Sequence, residues 1–143
     1  MLPSKYSHLK FLRLENEFKY VLFESSDHFN KAVSVLTSNN LDFFCFSFMG
    51  EKSLVCPVDE VIFSSSKEQA GWIGFKIIGD MPFGTVQGLI STISSCLMKE
   101  EIGVCVVSTF KTDLFLIKKE KSLRALELLK DAGWGVAQSS PIG

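Results

Sequence analysis

The sequence has no excess of either charge: fifteen Lys and Arg stand against sixteen Asp and Glu, a formal net charge of −1 over 143 residues. So even a balance gives no bulk positive field for a nucleic-acid backbone or an anionic membrane surface. Histidine is scarce, with His8 and His28 the two copies and neither beside a partner in sequence. A histidine general acid or base would have to be one of these two, both in the less informative N-terminal half. The four cysteines, Cys45, Cys56, Cys96 and Cys105, include no C-x-x-C pair and have no His close by. That spacing argues against a zinc site. All four lie in apolar stretches and read as free buried thiols of a reducing cytosol.

Long apolar runs are absent as well. Met81–Met98 carries no charge, but Pro82, Gly84, Gln87, Gly88, Ser91, Thr92, Ser94 and Ser95 make it too polar for hydrocarbon. Residues 1–10 contain no apolar core of a secretory signal, so the sequence predicts a cytoplasmic protein. Catalytic signatures are missing: there is no P-loop, G-x-G-x-x-G, H-E-x-x-H or G-x-S-x-G. Gly84-Thr85-Val86-Gln87-Gly88 superficially resembles the phosphate loop of acylphosphatases. Thr92 stands where their arginine would fall, and without a fixed cation a phosphoryl transition state has nothing to hold it. The reading is of a protein that is not an enzyme, with no cofactor and no metal.

What the chain does have is phenylalanine, 13 copies against 2 Tyr and 2 Trp, within 46% hydrophobic residues. That is ample for a dry core in one domain or two small ones. Lys10–Leu14 and Phe18–Phe23 read as short strands joined by a hairpin turn at Glu15-Asn16-Glu17. Phe29, Ala32, Val33 and Leu36 recur at helical spacing, so a helix is expected from about His28 to Ser38. Strands follow at Phe43–Met49 and Ser53–Cys56, with a further short one at Val61–Phe63. The polar stretch Ser64–Gly71 is the expected boundary, giving units 1–66 and 67–143.

The second half predicts a strand at Trp72–Ile78, a helix from Thr85 to Glu100 and a strand at Val104–Ser108. A strand at Asp113–Lys118, a helix at Ser122–Ala132 ended by Gly133, and a strand at Trp134–Ala137 complete it. The order is βαββαβ, an α+β, ferredoxin-like arrangement. The first half repeats it without the second helix, a weak internal duplication with a degenerate first unit.

A fold of this type names no function. The residues carry a resemblance. Ser53-Leu54-Val55-Cys56-Pro57 closes the first half, and Trp72-Ile73-Gly74-Phe75-Lys76-Ile77-Ile78-Gly79 opens the second. The strongest run is Ile102-Gly103-Val104, then Ser108-Thr109-Phe110-Lys111-Thr112-Asp113, then Leu116-Ile117-Lys118. Together these resemble the small bacterial tandem ACT-domain proteins, whose motif includes S-T-[FY]-x-T-D. They are similar also to the ACT units of cytosolic arginine sensors and of aspartate kinase regulatory domains. The resemblance spans roughly residues 18–134. It implies an ACT fold and a regulatory module that binds an amino acid at an ACT-unit interface, as a homodimer, without an attached catalytic domain.

An amino acid needs an anion site and a cation site on one carbon. Backbone N–H groups at a helix start hold the carboxylate, and a side-chain carboxylate holds the ammonium. Met81, Phe83, Gly84 and Thr85, ahead of the long helix, supply the first end. Ser108, Thr109 and Thr112 supply hydroxyls, Asp113 an anion, and Phe83 and Phe110 apolar walls. Each also has a structural reading: Thr85 as an N-cap, Asp113 as a brace of its turn, Phe83 and Phe110 as core or dimer interface. The run Lys118–Lys121 reads as a solvated loop. RNA-binding sheets share the topology, but Val104–Ser108 and Leu114–Ile117 are mainly aliphatic and offer no stacking platform. The second function class is a protein-interaction module without a small-molecule ligand, since half-covered sheets invite partners.

Overall fold

The structure is a computed structural model that describes residues 6–62, 65, 67–79 and 88–138. Its elements are β1 (Lys10–Phe23), α1 (Ser26–Ser38), β2 (Phe44–Phe48), β3 (Glu51–Pro57) and β4 (Lys67–Ile78). Then come α2 (Leu89–Met98), β5 (Cys105–Ser108), β6 (Asp113–Lys118), α3 (Lys119–Asp131) and β7 (Gly135–Gln138). The chain gathers into two compact units, Asn16–Gly71 and a discontinuous one joining Met1–Glu15 to Trp72–Gly143. Packing therefore follows the two long strands: β1 and β4 each give one end to each unit.

In the Asn16–Gly71 unit the strand order is β2-β3-β1-β4. β1 pairs antiparallel with β3 from Phe18↔Pro57 to Phe23↔Lys52, and β3 with β2 from Val55↔Phe44 to Glu51↔Phe48. The hairpin closes on Met49 and Gly50, both at positive φ, where glycine suits the second position of so tight a turn. α1 begins at Ser25, whose Oγ accepts the His28 N–H at 3.3 Å. It lays Phe29 and Leu36 on Val21, Phe23, Leu54 and Cys56. Each such side chain contributes about 1.5–3 kcal/mol through burial.

In the other unit β4-α2-β5-β6-α3-β7 follow in βαββαβ order. The sheet runs β5-β6-β4-β1, and β7 pairs in parallel with β1 from Lys10↔Gly135 to Arg13↔Gln138. The first residues of β1 thus add a fifth strand. Phe11 stands at its core, edge-on to Phe115 (5.9 Å between centroids) and to Trp134 (4.9 Å), and Tyr6 stacks on Trp134. α2 and α3 are joined where the Cys96 thiol reaches the Leu128 carbonyl at 3.4 Å. Outside, Arg124 binds Glu100 and Glu127.

The first helix of each unit ends with the same geometry. The N–H of Leu41 donates to Leu36 C=O at 3.2 Å after Asn40 at φ 53°. The N–H of Ile102 donates to Leu97 C=O at 3.2 Å after Glu101 at φ 57°. The same offset that carries Leu36 onto Leu97 carries the start of β2 onto that of β5, and the end of β3 onto that of β6. The expected α+β, βαββαβ arrangement is present from β4 to β7, and the second helix of the Asn16–Gly71 unit is not among its described elements.

Several local expectations are corrected. Glu15-Asn16-Glu17 is no turn: β1 runs through it as one strand of fourteen residues, because pairing with β7 at one end and β3 at the other holds the polar middle extended. Val61 and Ile62 lie in coil, and Phe63 is outside the described residues. The polar Lys67–Gly71 is strand, the first part of β4. The described part of the long helix begins at Leu89, after Gly88 in the left-handed conformation. Lys119–Lys121 is the first turn of α3, not a loop. All four thiols are free, but Cys45 is exposed and Cys105 half-buried, since both stand on hairpins at the sheet margin.

Candidate functional site

The Ser108–Asp113 motif is the hairpin turn between β5 and β6, with Ser108 and Asp113 paired across the strands. Two threonines build the turn. The Thr109 N–H donates to Thr112 C=O at 2.8 Å, and the Thr109 hydroxyl donates to the same carbonyl at 3.0 Å while accepting the Thr112 N–H at 3.1 Å. The Thr112 hydroxyl then donates to Ile77 C=O at 2.5 Å. That bond ties the turn to the end of β4, the strand leading to residues 80–87. Thr112→Val removes the donor and leaves the Ile77 carbonyl without it. The expected loss is about 1–2 kcal/mol, measured by urea unfolding.

Asp113 is half-buried beside this turn. Among the described residues no hydrogen bond or ion pair engages its carboxylate, so the brace of the turn is Thr109 and not Asp113. Ser108 is exposed. Phe110 is 77% exposed, so its ring belongs to the surface and not to the core. Met81, Phe83, Gly84 and Thr85 lie outside the described residues. Gly88, at the start of α2, has no side chain to cap the helix. The Thr92 N–H and hydroxyl both donate to Gly88 C=O, at 2.9 and 2.7 Å.

A polar cluster in the Asn16–Gly71 unit escaped the sequence reading. Lys19 points inward beside Val21 and Phe23, its side chain 9% exposed. Its Nζ lies 2.6 Å from a Glu68 carboxylate oxygen and 2.6 Å from Glu60 C=O. Ser65 Oγ donates to the other Glu68 oxygen at 2.9 Å. The Lys19 ammonium holds the Glu68 carboxyl below its ordinary range, with Ser65 assisting against partial burial. The one sign available from sequence was a lysine of inward parity in an apolar strand. Burial pushes the adjacent Cys56 thiol up to about 11, so it stays protonated at neutral pH and is a poor nucleophile.

Among the described residues no group of three His, Cys, Asp or Glu is placed to hold a metal ion. No described helix is long and apolar enough to cross a membrane. An open cavity of about 890 Å³ lies on the β1-β2-β3 face away from α1, with Tyr20, Leu22, Phe46, Phe48 and Ser53 in its wall.

Residues 67–131 match the family model of the ACT domain. A protein of Agrobacterium tumefaciens is similar in structure, with a TM-score of 0.77 at 23% identity, over 93% of this chain and 95% of that one. The ligand-free regulatory subunit of aspartate kinase from Thermus thermophilus aligns with a TM-score of 0.61 at 7% identity, over 87% and 96%. Aspartate kinase of Clostridium acetobutylicum aligns with a TM-score of 0.62 at 14% identity, over 87% of this chain and 34% of the enzyme. No curated protein sequence matches the chain significantly. These likenesses establish the fold.

Proposed function

We propose that the chain, whose residues 67–131 match the ACT-domain family model, is a regulatory module that binds an amino acid or similar small metabolite and acts by assembly or partner choice, not by chemistry. The observation that carries this reading is Asp113. Asp113 is a half-buried residue beside a turn that Thr109 braces without it, so its carboxylate would receive a ligand ammonium or guanidinium. The ligand carboxylate would meet backbone N–H groups at the approach to α2, where Met81, Phe83, Gly84 and Thr85 stand in sequence. Ser108, Thr109 and Thr112 border the same turn, and Phe110 offers an apolar wall. Similarity to the regulatory subunit of aspartate kinase supports a regulatory role.

The chain would work as a cytoplasmic homodimer. The exposed rings of Phe46 and Phe48, at 37% and 74%, give a second copy an apolar surface. The test is a thermal-shift screen of the twenty common amino acids. Binding to the folded state alone adds roughly 2.7 kcal/mol at about a hundredfold over Kd. One amino acid is expected to raise Tm, and Asp113→Ala to abolish the rise while leaving the unliganded Tm near the wild-type value. If no amino acid moves Tm, the module binds protein and no small molecule.

A further inference from the structure

The two units differ in what lies beside their first helix. The offset that carries Leu36 onto Leu97 carries Val35 onto Cys96, Ala32 onto Ile93 and His28 onto Leu89. Leu89, Ile93, Cys96 and Leu97 are the residues that α2 buries, and Cys96 contacts α3. Of their counterparts on α1, Leu36 is buried like Leu97, but His28 and Val35 are exposed and Ala32 is half-buried, and with Leu36 they line a cavity of about 270 Å³. Val35 is 50% exposed where Cys96 is 8% exposed. The opposite wall is Glu60, Val61 and Ile62, with Val61 72% exposed.

Chain connectivity explains the cavity. After β6 the chain enters α3 directly, whereas after β3 residues 58–62 run as turn and coil. The next strand begins at Lys67. Lys19 and the Val58 N–H, bonded to Glu60 C=O and Glu17 C=O, hold this segment down against β1. No described residue supplies the second helix that the fold seats at this place.

We propose that this cavity is a docking groove for an amphipathic helix presented by another protein, lying against α1 as α3 lies against α2. Ala32, Val35, Leu36 and Ile62 would take apolar side chains at i, i+3 and i+4. Charge sets the flanks: Lys31 favours acidic residues on the α1 side, and Glu60 favours a basic residue on the other. The volume falls just below the roughly 300–1,000 Å³ of pockets that enclose drug-sized ligands. Its half-exposed walls suit a row of a few side chains better than an enclosed molecule. The proposal is independent of any amino acid at Asp113.

The probe is an end-blocked peptide of residues 119–131 (KEKSLRALELLKD), which carries an apolar stripe between Lys and Glu flanks. It is titrated into the full-length chain and followed by amide ¹H–¹⁵N shifts. Saturable shifts confined to residues 28–36 and 60–62 are expected. Binding should weaken at least tenfold for the peptide with Ala125→Asp and Leu129→Asp, and for the Val35→Asp chain. If Val35→Asp lowers Tm, Val35→Lys reads the same surface. Absence of saturation at millimolar peptide, or shifts that survive both changes, would overturn the proposal. So would conversion of a dimer to a monomer by Val35→Asp, which would assign the groove to a second copy. Asp113→Ala should leave peptide binding unchanged.

Discussion

Glu68→Ala destabilises the chain by about 2–3 kcal/mol, while Lys19→Met costs much less. The asymmetry follows from which partner is buried. Removing Glu68 leaves an ammonium group, 9% exposed, with the Glu60 carbonyl as its remaining partner among the described residues. Replacing Lys19 with methionine removes the buried charge, and the thioether packs against the apolar neighbours Val21 and Phe23. Glu68, its side chain 35% exposed, then turns to solvent at little cost. The pair also sets a pH dependence. Glu68 is held below its ordinary pKa in the folded protein, so at neutral pH it contributes stability. That contribution is intact above the unfolded value, about 4.3, and is lost as pH falls through the lower folded value. Urea midpoints between pH 7 and pH 3 should therefore fall more steeply for wild type than for Lys19→Met. Equal slopes would mean that the bridge contributes nothing in solution.

Gly79→Ala is the second large effect, a loss of about 3 kcal/mol. The backbone here has φ +126°, where side chains other than hydrogen are strained by about 1–3 kcal/mol. A Cβ would also lie 2.9 Å from His8 C=O and 2.9 Å from Leu9 Cδ2. Leu9 is 1% exposed, so neither neighbour yields freely, and overpacking adds a comparable penalty. Gly71→Ala is the control. Its φ is +91° but nothing lies within 4 Å, so the conformational part of the cost remains without the clash. The difference in Tm between the two variants isolates the close approach. It matters to the site because Gly79 follows Ile77 by two residues, and the Ile77 carbonyl anchors the Thr112 hydroxyl.

Much of this architecture was legible in the sequence because it rests on local patterns. Phe29, Ala32, Val33 and Leu36 at helical spacing placed α1, and Gly133 after Leu129 placed the end of α3. The βαββαβ order followed. Long-range pairing was not legible. Glu15-Asn16-Glu17 has turn composition, and only partners far along the chain, Gly135–Gln138 and Lys52–Pro57, hold it straight. The same pairing makes one compact unit discontinuous, which no linear boundary expresses. Lys67–Gly71 reads as a linker by polarity, yet it is strand because β1 lies beside it.

The candidate site was legible as a motif and not as a set of roles. Ser108–Asp113 named the turn. The sequence did not show that Thr109 braces it and that Thr112 reaches Ile77, because hydroxyl partners are set by tertiary geometry. Lys19 and Glu68 were invisible for the same reason: their meeting depends on β1 lying beside β4.

The most direct test is a calorimetric titration of the full-length chain and its Asp113→Asn variant with each common L-amino acid. One amino acid should bind the wild-type chain saturably, and the isosteric variant should lose at least tenfold in affinity through the missing carboxylate. No binding by any amino acid, or equal affinity in both proteins, would contradict an amino-acid site built around Asp113.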